Sequence, residues 1–456
     1  MTLSSRSLEI NAAPHELLSK LWESTTELLW LPNWGGRSDS VLALNPIAIL
    51  ESATQFSKDA LQAFCTEHMP QQLNAALPWG PLAGGVFGAL SYEASFDLDR
   101  LRSIQNRSLG VPRARFGFYP VVIVYSEITR TWSLSGQLER FPAYAQQLQA
   151  TFQAACALPN SIHSIAHTAK FHPQVSEKEY SSWVRTARKL IQNGDIYQAN
   201  LAHPIRIHGT EPLVQLFERI HTSNPSPWAC IYKAPQFTIL SNSPELLLTL
   251  KASQIVSKPI AGTRPRGSDT QSDEKLRRNL LRSPKERAEH LMLVDLVRND
   301  LGKVCTAGTV SVPLLMDREP YRNVYHIVST ITGTLNPSSH PLDALEALFP
   351  GGTITGTPKL RSIEIIDSLE SHPRGFYTGS LGYINPCGDL EFNILIRTLQ
   401  VFSQTEGWDA VLHVGAGIVA DSVPRREYHE TLHKADAWKQ VLAECVRSQD
   451  VLEATH

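Results

Sequence analysis

The chain has 456 residues, of which 42% are hydrophobic and 19% charged, with a formal net charge of −2. That length exceeds one small core and predicts two or three domains. The ordinary composition and near-neutral charge argue against a nucleic-acid partner or an acidic membrane surface, and no run approaches the ~18 apolar residues of a membrane span.

In chain order, the first 20 residues lack the apolar core of a signal peptide, so the expected location is cytoplasmic. Residues 1–165 read as one domain. It holds strand-like runs, "GGVFGALSYE" and "FGFYPVVIVYS", and a helical patch, "YAQQLQATFQAACA". A polar stretch near 160–175 separates it from a second domain at 176–445. There Ser176 and Glu179 have capping-box spacing, and the helix they open is expected to stop at Asn193-Gly194. A strand carrying Tyr197, Gln198 and Asn200 follows. Glu245, in "NSPELLL", has apolar neighbours that can raise a carboxyl pKa into the range of a general acid.

"IVSKPIAGTRPRG" (255–267) places Gly262, which permits close backbone approach, beside the Thr263 hydroxyl and two arginines, a setting for a small anion. Ala261, in the same run, has no chemistry to offer. The helix expected at 284–301 has apolar residues at 291, 294, 297 and 301, with Glu286 and Glu289 near its start. "FPGGTITGTPKLRSIEIIDSLE" reads as a glycine turn entering a helix, with Thr357 as N-cap and Pro358 as first helical residue. Its free amides favour an anion. Thr357 stands where a P-loop needs lysine, so nucleotide binding is not expected. Arg397, in "FNILIRTL", reads as a charge within an apolar strand and calls for a buried anion. "HVGAGIVADS" reads as a strand interrupted by Gly415 and Gly417, whose bare amides suit a carboxylate.

In the last helix Glu427, Glu430 and Lys434 border a packing face of Tyr428, Leu432, Ala435, Trp438 and Leu442. Carboxylates from two helices suit Mg²⁺, which takes one or two protein oxygens and leaves room for substrate and water. Each feature also has a plainer use: acids in a first turn complement the helix dipole, and charge runs ordinarily face solvent. The six cysteines form no CxxC pair and read as buried, reduced thiols. Residues 264–287 hold eight Lys/Arg, but four Asp/Glu interrupt them and no aromatic offers stacking, a poor match to a single-strand binder. Strands and helices interleave without strict βαβ alternation, which predicts an α+β fold with mixed, largely antiparallel sheet and outer helices.

Together these segments resemble the chorismate-utilising enzymes. The matching stretches, in family order, are "GDIYQANL", "SPELLL", "PIAGTRPRG", "ERAEHLMLVDLVRNDLG", "VYHIVSTITG", "GGTITGTPKLRSIEIID", "FYTGSLGYI", "IRTL", "GAGIVADS" and "EYHETLHKA". The resemblance implies two stacked, largely antiparallel sheets with outer helices. It places Glu289 and Glu430 as Mg²⁺ ligands. Gly262, Thr263, Tyr377, Arg397, Gly415, Ala416, Gly417 and Lys434 fall on chorismate-binding positions. Glu245 falls on the acid that protonates the departing C4 hydroxyl, and His326 and Thr355 on pocket residues.

Within that family, members that add water carry a lysine base where this chain has Gln198. An amide accepts a proton poorly at neutral pH, so the resemblance implies ammonia as nucleophile. "YQAN" and "SNSPE" are similar to aminodeoxychorismate synthase component I, which aminates chorismate in the p-aminobenzoate and folate pathway. Ala261 departs from the nucleophilic lysine that many of those enzymes carry and matches anthranilate synthase component I, the alternative. Isochorismate or salicylate synthesis stands third. None of the cysteine contexts resembles a glutaminase nucleophile, so a separate glutamine amidotransferase subunit is the expected partner. "ELLWLPNW" has Leu31 where tryptophan-inhibited relatives carry serine, and Trp228 replaces a tyrosine in "NPSPW". No tryptophan inhibition is expected.

Overall fold

The computed structural model describes residues 3–10, 12–69, 80–103, 105, 107–159, 169–266, 269, 271, 273–274, 284–322, 324–403, 407–436 and 438–442. Most of the basic stretch at 275–283, the end of the chain with Cys445, and the Thr263 and Glu286 side chains lie outside this description.

Two large antiparallel sheets, of twelve and ten strands among the described residues, form the framework. Both draw strands from either side of residues 160–175. In the first sheet Leu28–Leu31 pairs with Trp228–Lys233. In the second Gly85–Leu90 pairs with Ser380–Ile384. The run read as "FGFYPVVIVYS" divides at Pro120. Ala114–Tyr119 joins the second sheet and Val121–Ser126 the first, because proline supplies no ladder donor and the chain crosses between layers there.

Side-chain alternation explains the stacking. Leu29, Leu31, Val41, Ala43, Val122 and Val124 point into one core, which Phe87, Tyr119, Leu381 and Tyr383 close from the second sheet. Their neighbours Leu28, Trp30, Leu42, Leu44, Val121 and Ile123 point the other way, into a core under helices Pro14–Ser24, Pro142–Ala157 and Leu213–Ser223. A strand with period-2 side chains can be apolar on both faces only where both faces are covered. The second sheet's outer face is covered by helices Lys58–His68, Pro284–Gly302 and Pro341–Leu348. No helix among the described residues is long and apolar enough to cross a membrane.

Some local expectations hold and others change. Ser176 caps the helix Glu177–Gln192, its hydroxyl accepting from the Glu179 amide, and Asn193 ends it. Glu179 accepts a hydrogen bond from the Ser371 hydroxyl at 3.0 Å. In Pro284–Gly302 the stripe Val294, Val297 and Leu301 is buried, but Leu291 is 43% exposed. The helix Lys359–Leu369 takes Pro358, not Thr357, as its N-cap; Thr357 sits in a two-residue strand beside Gln198. Cys65, Cys230 and Cys305 are buried, whereas Cys156 and Cys387 are only half-buried.

Candidate active site

The strands Gln198–Gly209 and Trp408–Ile418 form one wall. They run antiparallel with Asn200 opposite Gly417 and Ala202 opposite Gly415. Gly415 and Gly417 do not interrupt the strand as expected; their missing side chains make room across it. A Cβ at Gly415 would stand 2.8 Å from Asn200 Oδ1 and 3.0 Å from the Tyr377 hydroxyl, and one at Gly417 would stand 2.7 Å from Gln198 Nε2. The neighbouring strand Thr398–Ser403 reaches only to Leu412. Residues 413–418 therefore pair along one edge, and alternate amides face the open one. Lys434, from helix Pro424–Lys434 packed on this strand, donates to the Gly415 carbonyl at 2.9 Å and meets Glu430 at 3.2 Å.

The second wall comes from the other sheet. Ile260–Pro265 pairs with Val324–Thr334, but Ala261 faces Ile327 while Thr263 faces His326. One extra residue, Gly262 with φ +66, forms a bulge. The His326 Nδ1–H donates to the Gly262 carbonyl at 3.3 Å. Burial holds the imidazole well below its usual pKa, at about 4, with Arg397 pushing in the same direction. The ring is neutral at pH 7. Lys258 pairs with Glu319 at 3.1 Å, so it does not stand in for a lysine at Ala261.

Two arginines define the electrostatics. Arg374 is fully buried and saturated: it holds Glu370 through both carboxylate oxygens, at 2.9 and 2.6 Å, and donates to the Ile354 and Asn200 carbonyls and the Thr378 hydroxyl. Glu370 also accepts the Ala202 amide at 2.7 Å. This pair ties together the segments that carry Asn200, Thr355 and Tyr377; breaking such a pair costs about 3–5 kcal/mol. Tyr377 is further held by stacking on His413 at 5.2 Å.

Arg397 is the opposite case. It lies in a bend, not in the strand expected, with a left-handed backbone (φ +51) that is costly for a residue with a Cβ. Its guanidinium makes no hydrogen bond or ion pair among the described residues. Desolvation lowers its pKa, opposed by Tyr321 and Glu245. A partly buried cation without a partner is a site for an anion.

Glu245, 3% exposed, is pushed up to about 7 by burial, against the Ile260 amide that it accepts at 3.2 Å and the charge of Arg397. A carboxyl that titrates near neutrality therefore lies in the field of the unpaired cation. Thr355 is fully buried; its hydroxyl donates to the Gly351 carbonyl at 2.9 Å, and its carbonyl takes the Asn200 amide. Glu289 is half-buried on helix Pro284–Gly302, which packs on the two strands of the second wall.

The structure thus gathers Gln198, Tyr377, Gly415 and Gly417 about one strand pair, Gly262 and His326 about the other, and Glu245 with Arg397. Tyr321 and Arg374 were not singled out by the sequence, and Asn200 was read only as a strand residue, without a role in the site. Asn200 was recoverable, since residues two apart on a strand share a face with Gln198. Arg374 was not, because beside its local partners Glu370 and Thr378 it reaches the Ile354 carbonyl 20 positions away and the Asn200 carbonyl 174 positions away.

The chain matches the family described as chorismate binding enzyme over residues 21–440. It belongs to the chorismate-binding enzyme family. Aminodeoxychorismate synthase component 1 of Bacillus subtilis is 33% identical over 445 residues, covering 93% of each chain. Anthranilate synthase component 1 of Thermus thermophilus is 38% identical over 393 residues, 84% of this chain and 82% of that protein. The crystal structure of anthranilate synthase component I from Streptococcus pneumoniae superposes with a TM-score of 0.78 at 29% identity, covering 89% of this chain and 92% of that one. The family membership makes this chain an enzyme acting on chorismate.

The two segments expected to wall a tryptophan pocket touch each other. Trp34 packs edge-on against Trp228 at 5.5 Å, and the Gly35 amide donates to the Pro227 carbonyl. Leu31 is fully buried in the core between the sheets. Titration calorimetry with micromolar L-tryptophan is expected to show no binding heat; a saturable isotherm would contradict the packing.

Proposed function

We propose that the chain is an aminodeoxychorismate synthase component I, which converts chorismate and ammonia to 4-amino-4-deoxychorismate. The observation that carries amination is Gln198, a buried carboxamide at the head of the site strand. Activating water needs a group that accepts its proton, which a carboxamide does not do at neutral pH; ammonia needs no such base. The Bacillus subtilis protein matches across 93% of both chains, but an anthranilate synthase component 1 of Haloarcula marismortui matches 96% of this chain at 34% identity, so it is the Trp34–Trp228 contact, not the degree of similarity, that favours this product.

Chorismate is a dicarboxylate. Arg397 and the open-edge amides of residues 415–417 bind one carboxylate, with Lys434 beside them. Glu289 and Glu430 present hard oxygen donors from helices lying on the two walls, a set that fits Mg²⁺ with the second carboxylate and water completing its shell. When bound, the cation would supply charge stabilisation to that carboxylate.

Glu245 gives its proton to the C4 hydroxyl, which leaves as water while a nucleophile's lone pair forms the bond at C2. With Ala261 and a tethered Lys258, that nucleophile is ammonia or water rather than a lysine. Ammonia then adds at C4 and the C2 substituent departs. The neutral His326 and the buried Thr355 shape the pocket around the ring.

Ala261 itself favours a second reading, anthranilate synthase component I, in which ammonia stays at C2 and pyruvate is lost. Incubation with chorismate, Mg²⁺ and ammonium salt is expected to yield 4-amino-4-deoxychorismate; anthranilate with pyruvate would replace our reading by the second. Ammonia in the cell would come from a separate glutamine amidotransferase subunit. Burial raises the thiol pKa of each of the five described cysteines, so none of them is an activated nucleophile.

A further inference from the structure

A buried polar atom with no partner calls for an explanation, and inside a binding site a ligand that supplies the missing hydrogen bond is one. Two such atoms belong to residues two apart on the site strand: Gln198 Oε1 and Asn200 Oδ1 are both buried without a hydrogen-bond partner among the described residues. The residues share a strand face. Their side chains lie over Gly417 and Gly415, the two positions where the facing strand has none. Asn200 Nδ2 donates to the Thr353 carbonyl at 3.3 Å. A carbonyl only accepts, so this contact fixes the amide orientation and leaves Oδ1 as the acceptor. The Asn200 backbone is pinned as well, its N–H on the Thr355 carbonyl and its C=O on Arg374.

Two acceptor oxygens repel a carboxylate and satisfy a ligand that brings N–H or O–H groups. Such acceptors take N–H groups from ammonium or ammonia alike, and only the neutral molecule keeps a lone pair with which to attack. We propose that Gln198 and Asn200 form a carboxamide cradle that binds the nucleophile as NH3, accepting its hydrogens and leaving its lone pair free to attack. Asn200 is then a determinant of ammonia binding, distinct from the groups that grip chorismate. This rests on the amination reading above.

The test is steady-state kinetics of the full chain with chorismate, Mg²⁺ and varied ammonium chloride. Asn200→Leu removes the acceptor at similar volume. It is expected to raise KM for ammonia by about tenfold, the value of one hydrogen bond, with KM for chorismate changed by less than about twofold. Asn200→Thr, a good strand former with a shorter hydroxyl, is expected to show a smaller rise with the same selectivity, and it serves if the leucine variant does not fold. An unchanged KM for ammonia, or an equal rise in both constants, would overturn the cradle while leaving the amination reading intact. A wild-type chain that forms no aminated product would remove both.

Discussion

Arg397→Met is expected to lower kcat/KM for chorismate by about 10²–10³-fold, the equivalent of about 3–4 kcal/mol for removing a charge-assisted hydrogen bond from a desolvated site. The same substitution is expected to raise the melting temperature of the ligand-free chain. The two signs share one cause. Without substrate, the guanidinium is partly withdrawn from water and gains no hydrogen bond or ion pair among the described residues, and desolvation already pulls its pKa down. Replacing such a charge by an apolar side chain of similar volume relieves that cost. Arg374 supplies the control: it is equally cationic but fully bonded to Glu370 and three other groups, so Arg374→Met is expected to destabilise. Thermal melts with and without chorismate, alongside initial rates, separate the two. An Arg397→Met chain that melts lower and turns over normally would show that the guanidinium serves the fold.

Glu245→Gln is expected to reduce kcat by about 10²–10⁴-fold, the range for losing a positioned general acid, with KM for chorismate little changed. Burial places the Glu245 pKa at about 7. The wild-type rate should therefore hold below pH 7 and fall as pH rises through that value. Stability follows the same proton. The folded-state pKa lies above the ordinary carboxyl value, so the folded chain binds this proton more tightly than the unfolded one. The contribution is fully present below about pH 4.5 and is lost as pH rises toward 7. The glutamine variant lacks this titration, so its stability relative to wild type should increase across that window. A variant whose rate keeps the wild-type pH profile would assign the proton to another group.

Much of the fold and part of the site could be read before any coordinates. Ser176 and Asn193-Gly194 announce a helix by local chemistry, since a hydroxyl cap and a left-handed glycine act within a few residues. The apolar runs around 116–126 announce strands. Glu245 among leucines announces a carboxyl that burial would perturb. Where neighbours in sequence are also neighbours in space, composition is enough.

The misreadings share the opposite condition. Thr357 has the right residue type for an N-cap, yet the two-residue strand it forms beside Gln198 draws it into the sheet and leaves Pro358 as the cap. Glu179 has capping-box spacing, but Ser371, 192 positions away, takes its carboxylate. Arg397 sits in an apolar run that reads as strand, but it falls in the break between Leu390–Asn393 and Thr398–Ser403, in a left-handed bend.

By itself, the sequence determined the period-2 apolar strands, the helix ends, the family motifs and the chemical types available: carboxylates, an arginine, carboxamides, glycines. Only the tertiary structure decided which of them meet. Pro120 sends one apolar run into two layers, a bulge at Gly262 resets the register against His326, and Gly415 and Gly417 lie under Asn200 and Gln198. The physical reason is that propensity and capping act over one or two turns. Desolvation, register and the presence or absence of a partner for a buried charge depend on segments hundreds of residues apart.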